Sequence, residues 1–259
     1  MSVDNGGFAP IIRVEHFSKA YDARLAVDDL SFAVMGGDIL GLVGPNGAGK
    51  TTTLRTIAGI LPPSSGAVSV VGFDLAKQPI EAKRRLAIVP DEPNLFANLT
   101  VWEHLEFTAE MYEVTGFAPR AERLLEELEM LDQRHALAEE LSRGMRQKTG
   151  FACALLHEPK ALLMDEPLTG LDPRGIRTLY TAVRRRAEAG AAVVLSSHLL
   201  AQIEGLCTAL LILRSGRLVV NGSMAQIRAK LPALSRDASL EEIFFHAVEG
   251  DAGQPGQRV

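Results

Sequence analysis

A chain of 259 residues with 47% hydrophobic and 23% charged side chains can bury one large α/β core or two modest ones, and this composition excludes fibrous and disordered classes. A net charge of −5 and a pI near 5.7 argue against nonspecific nucleic-acid binding, which needs a basic surface. The two cysteines, Cys153 and Cys207, each lie in an apolar run and read as buried small side chains, not as a disulfide or metal pair.

The first seven residues have no basic segment followed by an apolar one, so no secretory signal is read there and a cytoplasmic protein is expected. Residues 11–17 and 26–34 alternate apolar and polar around Tyr21, which predicts a β-hairpin or two neighbouring strands. The continuous apolar run Ile39–Val43 then predicts a buried strand. It leads into Gly44, Pro45, Asn46, Gly47, Ala48, Gly49, Lys50 and Thr51, followed by Thr52 and a breaker-free run to Ala58. These eight residues fit G-x-x-x-x-G-K-[ST], the phosphate-binding loop, and the motif requires this placement between strand and helix. A chance match in a chain this long is on the order of one per cent, so the motif carries weight. The glycines let successive N–H groups face an anion, Lys50 can reach the β- and γ-phosphates, and the Thr51 hydroxyl can ligate Mg²⁺.

Strands are expected at 68–73 and 86–89, after which the pattern turns helical. Thr100 with Glu103 forms a capping-box pattern ahead of Val101, Leu105, Ala109 and Tyr112 at helical spacing. A second helix opens near Pro119, with Leu124, Leu125, Leu128 and Leu131 on one face, and a third is expected from Arg143 to His157. The result is a helical insertion of about residues 94–157. Strand residues 161–164, a helix over 173–189 and a strand over 191–195 then form a β-α-β pattern typical of a parallel sheet. A hairpin over 210–221 and a helix over 239–248 complete one predicted domain spanning 11–248, with tails at 1–10 and from Gly250. The apolar stretch 190–203 is too short to cross a bilayer, so any membrane connection is expected through a partner.

Open α/β sheets bind ligands at the C-terminal ends of their strands. Asp165 and Glu166 follow one such strand: the aspartate suits a Mg²⁺ ion held partly through water, and its acidic neighbour can orient or deprotonate an attacking water. A lone acidic pair after an apolar run is more often a solvated turn, and the phosphate loop reverses that preference.

With these two motifs in place, residues 11–248 resemble the ATP-binding subunits of ABC transporters. The matching features are Leu141 to Gln147 at the signature position, Gly170-Leu-Asp172 at the D-loop and His198 at the switch histidine. The resemblance implies a P-loop NTPase fold, a mostly parallel central sheet joined to an N-terminal antiparallel β subdomain and an inserted α-helical subdomain. It also implies a head-to-tail dimer, homo- or heteromeric, with ATP between one subunit's phosphate loop and the other's signature helix. By the same resemblance Tyr21 would stack on adenine, Ser142 and Gly144 would contact the γ-phosphate across the dimer, and Lys50, Glu166 and His198 would serve hydrolysis. Thr51 and Asp165 would hold Mg²⁺. Simple packing remains the alternative for Tyr21, and a structural role the alternative for His198.

Two departures stand out. Asp91 occupies the position of the family's Q-loop glutamine, where it would ligate Mg²⁺ or link the site to a transport partner. Arg143 and Met145 replace common signature residues, a variation resembling bacterial ATPases that serve separately encoded exporter-type permeases; facing solvent or a partner is the plainer reading. Phe96, Leu99 and Trp102 are candidate contacts to an integral membrane permease, with internal packing of the insertion as the alternative. The expected protein is therefore an ATP hydrolase, peripheral on the cytoplasmic face of the membrane, that powers export and binds no nucleic acid. The alternatives are a soluble ATPase of the same type in iron–sulfur assembly and a regulatory module that binds ATP without useful hydrolysis.

Overall fold

In chain order the elements are strands β1 (Ile12–Tyr21), β2 (Arg24–Val34) and β3 (Ile39–Val43), helix α1 (Lys50–Ile57), β4 (Ser65–Val70), β5 (Phe73–Asp74), α2 (Pro79–Lys83) and β6 (Leu86–Val89). Helices α3 (Val101–Met111), α4 (Phe117–Glu127) and α5 (Arg143–Leu156) come next, then β7 (Ala161–Met164), α6 (Pro173–Glu188), β8 (Ala192–Ser197) and α7 (Leu200–Ile203). The last elements are β9 (Ala209–Arg214), β10 (Arg217–Ser223), α8 (Met224–Lys230) and α9 (Leu240–Glu249). This computed structural model describes residues 9–22, 24–198, 200–230 and 239–249. The tail from Gly250 and most of the N-terminal tail lie outside the described residues.

Two sheets form a mixed α/β architecture. A four-stranded antiparallel sheet runs β2-β1-β4-β5, and a six-stranded sheet runs β10-β9-β3-β8-β7-β6. Within the second sheet every pairing from β9 to β6 is parallel, and only β10 on β9 is antiparallel. Strands β3, β7 and β8 are buried along their whole length, which explains why they read as unbroken apolar runs.

The register decides where the functional groups collect. Val43 on β3 pairs with Ser197 on β8, Met164 on β7 pairs with Leu195, and Val89 on β6 pairs with Met164. The residues after these strands (Gly44, His198, Asp165 and the loop carrying Asp91) therefore emerge at one sheet edge. Helices α3, α4 and α5 stand between β6 and β7, and their buried faces (Leu105, Leu124, Leu125, Phe151 and Leu155) join the core on one side of the sheet. Val14, Phe17, Leu30, Leu54 and Ile57 belong to a second core between the antiparallel sheet and the opposite face.

Several boundaries differ from the pattern reading. The expected strand over 68–73 breaks at Val71 and Gly72, both with positive φ, so the chain makes β4 and the short β5. The helix expected to carry Leu131 stops at Glu127, and Glu129 with φ 55° turns the chain into a separate 3₁₀ turn at Leu131–Gln133. Helices α2, α7 and α8 are too short to show a 3.6-residue period.

Candidate functional site

The loop Gly44–Gly49 turns sharply between β3 and α1. Gly49 has φ 104°, and a Cβ there would stand 2.8 Å from the Ala26 carbonyl oxygen, so both the turn and the close approach of β2 require glycine. The Gly216 N–H donates to Ala48 O at 3.1 Å, which fastens the loop to the β9–β10 turn. Lys50 is 7% exposed, and its ammonium donates to Gly44 O at 2.7 Å, curled inside its own loop. Burial pulls its pKa below the usual lysine value, while the Glu166 and Asp165 carboxylates act in the opposite direction. Tyr21, at the end of β1, is 45% exposed, and its ring lies 5.4 Å from Lys19 Nζ. Arg24 at the start of β2 reaches the Gly47 turn: a Cβ on Gly47 would be 3.9 Å from its guanidinium.

Opposite Lys50, the carboxylates are held by short bonds. Ser196 Oγ donates to Asp165 Oδ1 at 2.6 Å and accepts from the Glu166 N–H at 3.0 Å. Glu166 adopts φ 47°, a left-handed conformation uncommon for a side chain of this size and of the kind found at functional sites. His198 Nδ1 lies 2.7 Å from Glu166 Oε2. A carboxylate only accepts, so Nδ1 is the donor in this contact. Lys50, Asp165, Glu166, Ser196 and His198 thus form one cluster. Ser196 was missed by pattern reading, although its place two residues before His198 on a buried strand was a usable signal.

The signature residues lie elsewhere. Ser142 caps α5, its Oγ accepting from the Met145 N–H at 3.2 Å. Gly144 packs beside the D-loop, where a Cβ would stand 3.1 Å from Gly170 O. Asp172 caps α6 by accepting from the Gly175 N–H at 2.7 Å. The Asp91 carboxylate faces Arg143, 3.5 Å away. Burial raises its pKa; Arg143 opposes that shift, and Asp165, Glu166 and Glu92 add to it. Arg143 is therefore engaged within the subunit. Trp102 packs on Phe117 with ring centroids 5.0 Å apart and joins the partly buried rim of the core, whereas Phe96 is 57% exposed. A separate cleft of about 250 Å³ is lined by Arg84, Tyr112, Arg120 and His157, but its arginines are already paired with Glu113 and Glu158.

The residues present fit Mg²⁺. Among the described residues no group of three or more His, Cys, Asp or Glu side chains could cage a metal. One buried carboxylate, Asp165, beside the hydroxyl-bearing start of α1 suits an ion that keeps its waters and takes its other ligands from substrate phosphates.

Residues 27–169 match the profile of the ABC transporter family. The chain belongs to that family. The ATP-binding domains of this family are P-loop NTPases that hydrolyse ATP. The ABC-type transporter ATP-binding protein EcsA of Bacillus subtilis is 32% identical over 94% of this chain and 98% of its own length. The Nod factor export ATP-binding protein I of Burkholderia pseudomallei is 37% identical over 82% of this chain and 70% of its own. A solved ATP-binding subunit of an ABC transporter superposes with a TM-score of 0.86 at 35% identity, covering 92% of this chain and 99% of that one. In this ABC ATPase no helix among the described residues is long and apolar enough to cross a membrane.

Proposed function

We propose that this ABC ATPase powers export through a separately encoded membrane permease, docked on the cytoplasmic face of the membrane as one catalytic unit spanning 11–248. The observation that carries this reading is an apolar platform on the helical insertion. Phe96, Phe107 and Met111 are 57%, 50% and 66% exposed, and the Phe96 and Phe107 rings meet edge to face at 5.8 Å. Exposed aromatic groups clustered this way suit a partner surface. Of the three contacts expected from sequence, Phe96 serves here, while Leu99 is partly buried and Trp102 packs on Phe117 within the insertion.

ATP binding assigns each group a task. Tyr21 stacks on adenine, and the N–H groups of residues 46–52 with the start of α1 receive the phosphates. Lys50 exchanges Gly44 O for phosphate oxygens. Thr51 and Asp165 would hold Mg²⁺, which would supply positive charge against the phosphates. Glu166 orients the attacking water and accepts its proton, while His198 holds Glu166 by Nδ1–H and turns Nε2 toward the γ-phosphate. Ser142 and Gly144 form a second anion site at the start of α5 that completes the pocket of a second subunit in a head-to-tail dimer.

The test is gentle detergent isolation from the native membrane. Stoichiometric recovery with a multi-span protein, lost on Phe96→Asp with ATPase activity retained, supports the reading. Recovery alone or with iron–sulfur assembly factors transfers the same chemistry to a soluble role.

A further inference from the structure

The two departures from the family pattern touch each other. Arg143 is the first residue of α5, and its Nη2 lies 3.5 Å from Asp91 Oδ1 and 3.9 Å from Glu92 Oε1. Its stem crosses Gly170: a Cβ placed on that glycine would stand 2.8 Å from Arg143 Cδ and 3.1 Å from Cγ and Nε. One side chain therefore contacts the loop after β6 and the D-loop, while its backbone belongs to the turn capped by Ser142.

Helix stability does not account for an arginine there. A cation in the first turn opposes the helix dipole, and no acidic residue in that turn offsets it. Nor is a third carboxylate beside Asp165 and Glu166 favourable without a counter-charge. Each departure is unfavourable alone, and each supplies what the other lacks.

We propose that Arg143 is a positioning residue that couples the Asp91 loop to the signature turn and the D-loop. When the Asp91 loop shifts, the guanidinium carries the start of α5, with Ser142 and Gly144, along with it. The aliphatic stem keeps Gly170 in step, so the three loops move as one body. Asp91 in this arrangement acts as an intrasubunit anchor.

A double-mutant cycle on the full chain tests this with Asp91→Asn, Arg143→Gln and the pair. Hydrogen exchange is read without nucleotide at the Met145, Arg146 and Leu171 amides, which donate to Ser142 Oγ, Ser142 O and Leu168 O. Each single variant should speed exchange roughly two- to fivefold, the size expected for a half-exposed pair, and the double variant should add nothing further. Added salt should speed exchange in the parent protein and leave the double variant unchanged. Arg143→Lys should recover part of the protection. In steady-state assays Arg143→Gln should raise the KM for ATP more than it lowers kcat, because Ser142 and Gly144 lose their placement while Lys50, Glu166 and His198 keep theirs. Additive single effects, or an Arg143→Gln protein that exchanges like the parent, overturn the proposal. Since exchange is read without ATP or permease, this outcome is separate from that of the transport reading.

Discussion

Glu166 Oε2 receives two bonds from His198: Nδ1 at 2.7 Å and the backbone N–H at 3.3 Å. The histidine thus sets the direction of the carboxylate, and the two residues should behave as a unit. Glu166→Gln removes the proton acceptor and should lower ATP turnover by about 10²–10⁴-fold while leaving ATP binding intact. His198→Ala should cost roughly 10²-fold, and the double variant should be little worse than Glu166→Gln alone. Steady-state ATPase assays on the four proteins check this; multiplying losses would separate the two roles.

Gly49→Ala should destabilise the chain as well as disable nucleotide binding. The added Cβ would meet Ala26 O at 2.8 Å in a residue held at φ 104°, a strain of about 1–3 kcal/mol. The expected fall in Tm is roughly 2–4 °C per kcal/mol at this size, read by calorimetry without nucleotide. An unchanged Tm would mean that the β2 contact is dispensable.

His157 provides a pH-dependent contribution to stability. Its ring stacks on Tyr112 with centroids 3.7 Å apart and lies 3.2 Å from Leu86 O through Nε2. Burial holds its pKa below 6.5, the nearby Arg186 adds to the effect, and the Leu86 bond opposes it. A depressed histidine pKa means that the unfolded chain binds the proton first, so stability is lost as pH falls from 6.5 toward the folded value. His157→Phe keeps the stack and cannot protonate. Thermal melts at pH 7.5 and 5.5 should show a smaller acid-induced drop for the variant; equal drops would locate the acid sensitivity elsewhere.

The two thiols should be inert in the folded protein. Burial pushes Cys153 up to about 11 and Cys207 up to about 12, so at pH 8 the thiolate is about a thousandth of the population or less. A maleimide or iodoacetamide time course with mass spectrometry should label neither cysteine until denaturant is added. Rapid native labelling would show that the sulfurs are open to solvent.

Residues adjacent in the chain were enough to determine the strand, phosphate loop and helix of residues 39–58, the acid pair behind β7 and the capping box at Thr100. In each case the chemistry lies within a few residues, and the period of the apolar side chains betrays the element around it. Thr100 and Glu103 bond as their spacing implied, at 2.7 and 3.2 Å. What only the tertiary structure decided depends on pairs far apart in sequence. The register of β7 and β8 brings Ser196 to Asp165 across 31 positions, and the packing of α5 against β6 brings Arg143 to Asp91 across 52. Which elements neighbour one another, and in what register, is set by packing on both sheet faces, which no local pattern encodes, so a serine read as strand end joined the carboxylate cluster and an arginine whose plainer reading was solvent or a partner protein became the partner of Asp91.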